Sequence, residues 1–252
     1  MEVTRGTTRC TPSAPKKRAV LAILLLHANQ FIPVDLLVEV LWGGRSPAKA
    51  ISALHVYIAA LRKALAPGHD RPPHPLIETW PNGYRLCADQ DRIDLYRFHS
   101  LAEQGDRAML AGRPEQASAL LGTALRMWRG PALADIADIG LLHTYADGLD
   151  STRLAVLERR IEADLRLGRH ALVADELETL CRRHPLRESM HRQLIIAQLR
   201  SGRRADALAS YQRIRRELIE TLGLEPSETL QSTLQAVLRG AEPDHEQHSR
   251  GG

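Results

Sequence analysis

Aromatic side chains are scarce in this chain: Phe, Trp and Tyr make up 4% of its 252 residues, against 44% hydrophobic residues in all. A core so short of rings has to be built from Leu, Ile, Val and Ala, the composition of packed helices rather than of aromatic-rich sheets. Cysteine is as sparse. Cys10, Cys87 and Cys181 are odd in number and far apart, which argues against a disulfide framework and against a cysteine metal site. No apolar run reaches the roughly 18 residues of a membrane span, and no cleavable signal pattern opens the chain; a cytoplasmic protein is expected. There is no glycine-rich phosphate loop, no H-E-x-x-H, no G-x-S-x-G and no C-x-x-C. Catalytic residues, a cofactor and a metal are therefore not expected. His69 and His74, in the Pro-, Gly- and His-rich loop 67–75, have no Cys or carboxylate at ligand spacing.

What charge there is lies unevenly. The formal net charge is +4, yet residues 1–90 hold 11 Lys and Arg against 6 Asp and Glu, while 91–252 hold 23 against 24. A basic excess confined to the first third suits nucleic-acid binding by one part of the chain and protein contacts by the other. The length favours two domains of ordinary size.

The stretch from Ser46 to Ala66 carries the strongest pattern. Ser46 is a good N-cap and Pro47 suits the first helical position, where its missing N–H costs nothing. Ile51, Leu54, Ile58, Leu61 and Leu65 recur at helical spacing and form one stripe to bury. The far side carries Lys49, Ser52, Ala53, Val56, Ala60 and Lys63, flanked by His55, Tyr57 and Arg62. Small residues bordered by cations suit a helix that enters a DNA major groove. Downstream, Leu76–Trp80 and Tyr84–Cys87 are β-prone runs separated by Pro81-Asn82-Gly83, a hairpin signal because Asn and Gly tolerate positive φ. A helix followed by a hairpin is a winged helix.

Upstream, Pro15–Asn29 predicts a helix with Val20, Ile23, Leu24 and His27 inward. Lys16, Lys17 and Arg18 at its start oppose the helix dipole and need compensation, by a phosphate backbone or by solvent. Phe31-Ile32-Pro33 reads as a connector, and Val34–Trp42 as a second helix ended by Gly43-Gly44. Residues 88–93 are the expected hinge, with only helix from Asp94 onward. Gly168-Arg169 and Gly202-Arg203 are 34 residues apart, the period of tetratricopeptide helix pairs, and Ala205, Ala207, Ala209 and Tyr211 supply the small and aromatic positions such pairs use. Gly112-Arg113 repeats the turn out of period.

Leu61-Arg-Lys-Ala-Leu65, the Pro-Gly-His-Asp-Arg linker at 67–71 and the Gly83-Tyr84-Arg85 wing resemble the DNA-binding domain of OmpR/PhoB-type response regulators, and Val34–Gly43 fits that family's second helix. The C-terminal half departs from a response regulator. Its Trp128-Arg-Gly-Pro-Ala-Leu-Ala-Asp135 resembles the bacterial transcriptional activator domain, and the combination, over about residues 12–239, resembles the Streptomyces antibiotic regulatory proteins. The resemblance implies a mainly α chain: an OmpR/PhoB-type winged helix-turn-helix at 1–90, a tetratricopeptide-like all-α domain at 94–239, and a disordered tail at 240–252. Relatives usually carry a further strand before the position of Glu2-Val3, so either that strand is missing or the start codon lies upstream. The implied function is transcriptional activation of a secondary-metabolite (antibiotic) gene cluster. A homodimer would bind tandem direct repeats of double-stranded DNA near the −35 region and recruit RNA polymerase through its sigma factor, with the alpha subunit as a further contact. Lys49, Ser52, His55 and Val56 are the expected base readers. Arg62, Lys63, Trp42 and Tyr57 are better placed for phosphates, Arg85 matches the family's minor-groove arginine, and Arg45 lies in the turn that can touch polymerase. The rival reading is a tetratricopeptide-type scaffold whose N-terminal domain does not read DNA.

Overall fold

The computed structural model describes residues 1–5, 7–65 and 76–239. Ala66, the loop 67–75 with its two histidines and the tail 240–252 lie outside the described residues. The chain divides into two compact units, one comprising 1–103 with 123–155 and the other 104–122 with the residues from 156 onward.

The first unit opens with a hairpin of β1 (Thr4–Arg5) and β2 (Thr8–Arg9). Then come α1 (Pro15–Leu26), β3 (Phe31–Pro33), α2 (Val34–Trp42), a 3-10 turn at Gly43–Arg45, α3 (Ala50–Leu65), β4 (Ile77–Trp80) and β5 (Gly83–Leu86). α1 is the hub of the core: six consecutive residues, Ala19 to Leu24, are buried, against Leu37 and Leu41 of α2 and Leu54, Ile58 and Leu61 of α3. It ends at Leu26, short of the expected Asn29, and His27 is half-buried with its ring edge-on to Tyr145 at 6.1 Å.

Phe31–Pro33 is no connector. It is one of the two outer strands of a three-stranded antiparallel sheet ordered β3-β5-β4, with Ile32 opposite Tyr84 and Glu78 opposite Arg85. Asn29 enters it at φ 66° and donates its backbone N–H to the Leu86 carbonyl at 2.8 Å. The hairpin turn is also placed one residue earlier than Asn-Gly implies. Pro81-Asn82 form the turn, with Asn82 at φ 59°, and Gly83 already lies in β5. Glycine is needed there because β3 comes so close: a Cβ would stand 2.4 Å from the Ile32 carbonyl oxygen and 2.3 Å from the Phe31 ring.

The expected hinge is fastened. Asn29 exchanges two hydrogen bonds with the Ala88 backbone, at 2.9 and 3.1 Å, and Ile93 is buried in the same core. Nor is everything beyond Asp94 helical. After α4 (Asp94–Leu110) and α5 (Pro114–Arg126), residues 127–141 run as successive turns before α6 (Leu142–Arg166). This segment belongs to the first unit, where Ile136 and Leu142 join the winged-helix core. Leu141 donates its N–H to the Val40 carbonyl at 2.9 Å, and Gly140, at φ 53°, lies so near that a Cβ would stand 2.0 Å from the same oxygen.

The second unit continues with α7 (His170–Arg183), α8 (Glu188–Arg200), α9 (Arg204–Leu222) and α10 (Glu228–Arg239). Three of its turns are built alike. Gly112, Gly168 and Gly202 are all left-handed, and the arginine after each donates its N–H five residues back, to Ala108, Asp164 and Gln198, at 2.8–3.0 Å. That is the Schellman way of closing a helix. Of the expected small positions of α9, Ala207 and Tyr211 are buried with Ile214 and Leu218, but Ala205 and Ala209 are exposed. Buried Asp164 accepts hydrogen bonds from Ser118 at 2.7 Å, Arg160 at 2.9 Å and Arg169 at 2.7 Å, and these offset the cost of its burial and keep it below the usual carboxylate range. No helix among the described residues is long and apolar enough to cross a membrane.

Candidate nucleic-acid interface

α3 sends Ala50, Leu54, Ile58 and Leu61 into the core. Ile51, expected inside, is 51% exposed, because Ala50 takes the inward place in the first turn; Leu65 is half-buried. The helix itself begins at Ala50 rather than Pro47. The Ala50 N–H reaches the Pro47 carbonyl at 3.0 Å, a tight turn that leaves Lys49 just ahead of the helix, exposed. The outward face carries Ile51, Ser52, His55, Val56, Ala59 and Lys63, with Val56 63% exposed. Ile51 joins this face against expectation, and Ala59 adds to it at a spacing of four from His55, the signal that places it there. No acidic residue occurs between Glu39 and Asp70.

The two flanks of α3 differ. On one, Arg62 is drawn to the wing: its Nε donates to the Ile77 carbonyl at 2.9 Å and a terminal nitrogen to Thr79 Oγ1 at 2.7 Å. Its guanidinium braces α3 to β4 instead of standing free for a phosphate. On the other flank Tyr57 is half-buried and stacks on half-buried Trp42, with ring centroids 6.4 Å apart and planes 20° off parallel. Lys16 Nζ lies over the Trp42 ring, 4.9 Å from its centre. Arg45 is exposed in the turn between α2 and α3.

Arg85 is held within the wing. It donates twice to Glu78 Oε2 across the strands, at 2.9 and 2.7 Å, and lies 4.9 Å over the Trp80 ring. The Trp80 indole N–H donates to the same oxygen at 3.2 Å. The bonds from Trp80 and Arg85 hold the Glu78 carboxyl below its ordinary range, and the bond to Glu78 raises Arg85. Among the described residues no group of three His, Cys, Asp or Glu side chains is arranged to hold a metal ion.

This chain matches the family model "Transcriptional regulatory protein, C terminal" over residues 9–86 and "Bacterial transcriptional activator domain" over 93–238. It is 41% identical to the regulatory protein DnrI of Streptomyces peucetius over 236 residues, covering 92% of this chain and 87% of that one. The chain belongs to the Streptomyces antibiotic regulatory protein family. The regulatory protein AfsR of Streptomyces coelicolor is 37% identical over 93% of this chain, which spans only 23% of it. A solved structure of Mycobacterium tuberculosis EmbR in complex with a low affinity phosphopeptide matches with a TM-score of 0.90 at 37% identity, over 96% of this chain and 64% of that one. The winged helix followed by a helical activator domain, expected from the sequence, is the architecture these matches share. As a family member the protein is a DNA-binding transcription activator.

Proposed function

We propose that this protein activates a secondary-metabolite gene cluster from the cytoplasm by reading tandem direct repeats near the −35 region and recruiting RNA polymerase. The observation that carries the DNA reading is the outward face of α3, apolar and small at its centre, cationic at its ends and free of carboxylates. Ser52, His55 and Val56 read base edges, with Lys49 at the entrance. Val56, joined by Ile51, supplies methyl groups suited to the 5-methyl of thymine. Lys63, Trp42 and Tyr57 hold phosphates, which fix register without reading sequence. Arg62 contributes through its brace. Arg85 enters the minor groove of an A·T-rich stretch after leaving Glu78, and Arg45 faces polymerase, whose sigma factor and alpha subunit are the partners.

One winged helix buries too little surface for tight site-specific binding, so two copies act together on half-sites about 10 base pairs apart, on one face of the duplex. They lie head to tail as a homodimer on DNA. Footprinting the full chain on the promoters that flank its own gene tests this reading. Protection of two direct repeats is the expected result; no protected site favours the scaffold reading, and a requirement for an inverted repeat overturns the head-to-tail arrangement.

A further inference from the structure

A helix lying in a major groove about 12 Å wide has a wall of phosphates on each side. The wing, tied to α3 through Arg62, stands on one flank of this helix. The opposite flank is the stripe Ala53, Tyr57, Ala60 and Ala64, and what borders it comes from the start of the chain. Lys16 lies over Trp42, whose ring stacks on Tyr57. One turn further along α3, Ala60 and Ala64 line a groove of about 370 Å³ with Arg9, Ser13 and Lys17 on its other side. No carboxylate lines that groove.

The fate of the three cations at the start of α1 separates them. Arg18 is spent internally: its Nε pairs with Asp135 at 2.8 Å, and a terminal nitrogen donates to the Ser13 carbonyl at 2.6 Å. Lys16 and Lys17 form no ion pair among the described residues, and Arg9 is exposed. Lys16 and Lys17, without an ion pair among the described residues, and exposed Arg9 therefore run beside α3 on the side away from the wing. Alanines at 60 and 64 leave that flank low enough for a backbone to approach.

We infer that Lys16, Lys17 and Arg9 form a second phosphate-binding row, which holds the DNA backbone on the flank of α3 opposite the wing. The inference rests on the DNA reading above and adds residues outside the helix-turn-helix and wing to it. The row touches phosphates alone, so it adds affinity without adding sequence preference. It also accounts for three adjacent cations at a helix start of which, among the described residues, only Arg18 has an ion pair.

The test is the salt dependence of binding by the full chain, wild type against the double variant Lys16→Gln/Lys17→Gln, on a footprinted repeat duplex and on a scrambled duplex. Each lost phosphate contact should flatten the slope of log K against log salt by about 0.9, so the double variant should lose about 1.8 on both duplexes. Its ratio of repeat to scrambled affinity should stay that of the wild type. Arg9→Gln is a further variant, distant from the Trp42 stack, that should flatten the slope by about 0.9; melting curves establish that each variant is folded. Folded variants with an unchanged slope, or a loss confined to the repeat duplex, overturn the second row. Failure of the wild type to bind either duplex is a different result and overturns the DNA reading itself.

Discussion

Glu78 holds Arg85 and the Trp80 indole on a single carboxylate oxygen, so the arginine assigned to the minor groove starts from an internal partner. Arg85→Ala should weaken binding to the repeat by roughly ten- to a hundredfold. Glu78→Gln, which loosens the arginine without removing it, should tighten it. Fluorescence anisotropy on a labelled duplex reads both, and a Glu78→Gln variant that binds more weakly than wild type would mean that the pair orients Arg85 for DNA. In the second unit, His191 is buried, and that burial pushes its imidazole down to about 4 from an ordinary 6.5. The unfolded chain then binds more protons than the folded one between those values, so stability is full above about pH 6.5 and falls as pH drops towards 4. The loss is at most about 1.4 kcal/mol per pH unit in that window. Urea midpoints of wild type and His191→Leu across pH 4–7 check this, with the variant expected to show the shallower dependence.

Among the elements, α1, α2, α3 and the β4–β5 wing were legible because apolar periodicity and turn chemistry point the same way. Val34–Trp42 and the buried Leu54, Ile58 and Leu61 stand where the pattern put them. β3 was not legible: Phe31-Ile32-Pro33 is three residues long and becomes a strand only by pairing with β5, a long-range contact that no local pattern announces. Ile51 misled for the opposite reason, since its spacing fits the buried stripe and only the tertiary fit at Ala50 turns it outward. For the site, the outward residues of α3 were readable, but the internal engagement of Arg62 and Arg85 was not, because both find their partners on β4, which only the tertiary fold brings beside them. The turns at 127–141 carry no periodicity at all, yet they are held firmly. Gly140→Ala should cost about 2–4 kcal/mol, since a left-handed backbone and a carbonyl in the way of the new Cβ act together. A variant within 0.5 kcal/mol of wild type by denaturant unfolding would show that the segment can shift at little cost.

At the scale of the whole molecule, the division into units runs across the expected boundary at 90–94. Residues 123–155 belong with the winged helix, and Ile136 and Leu142 fill its core. A fragment ending at residue 90 loses those side chains and the Leu141 bond to Val40. Its Val40 and Leu41 amides should therefore exchange with solvent faster than in the full chain, read by hydrogen exchange. Equal protection in fragment and full chain would leave 123–155 without a structural role there. The first residues are drawn into the same arrangement, with Glu2 paired with Arg129. Gly140, with no room for a side chain against the end of α2, thus has a bearing on gene fusion. A recombination breakpoint just after the wing would pair this α2 with another regulator's 128–142 segment, whose glycine and flanking apolar residues have to match it. Chimeras in which residues 1–90 and 128–142 come from one parent keep that fit intact.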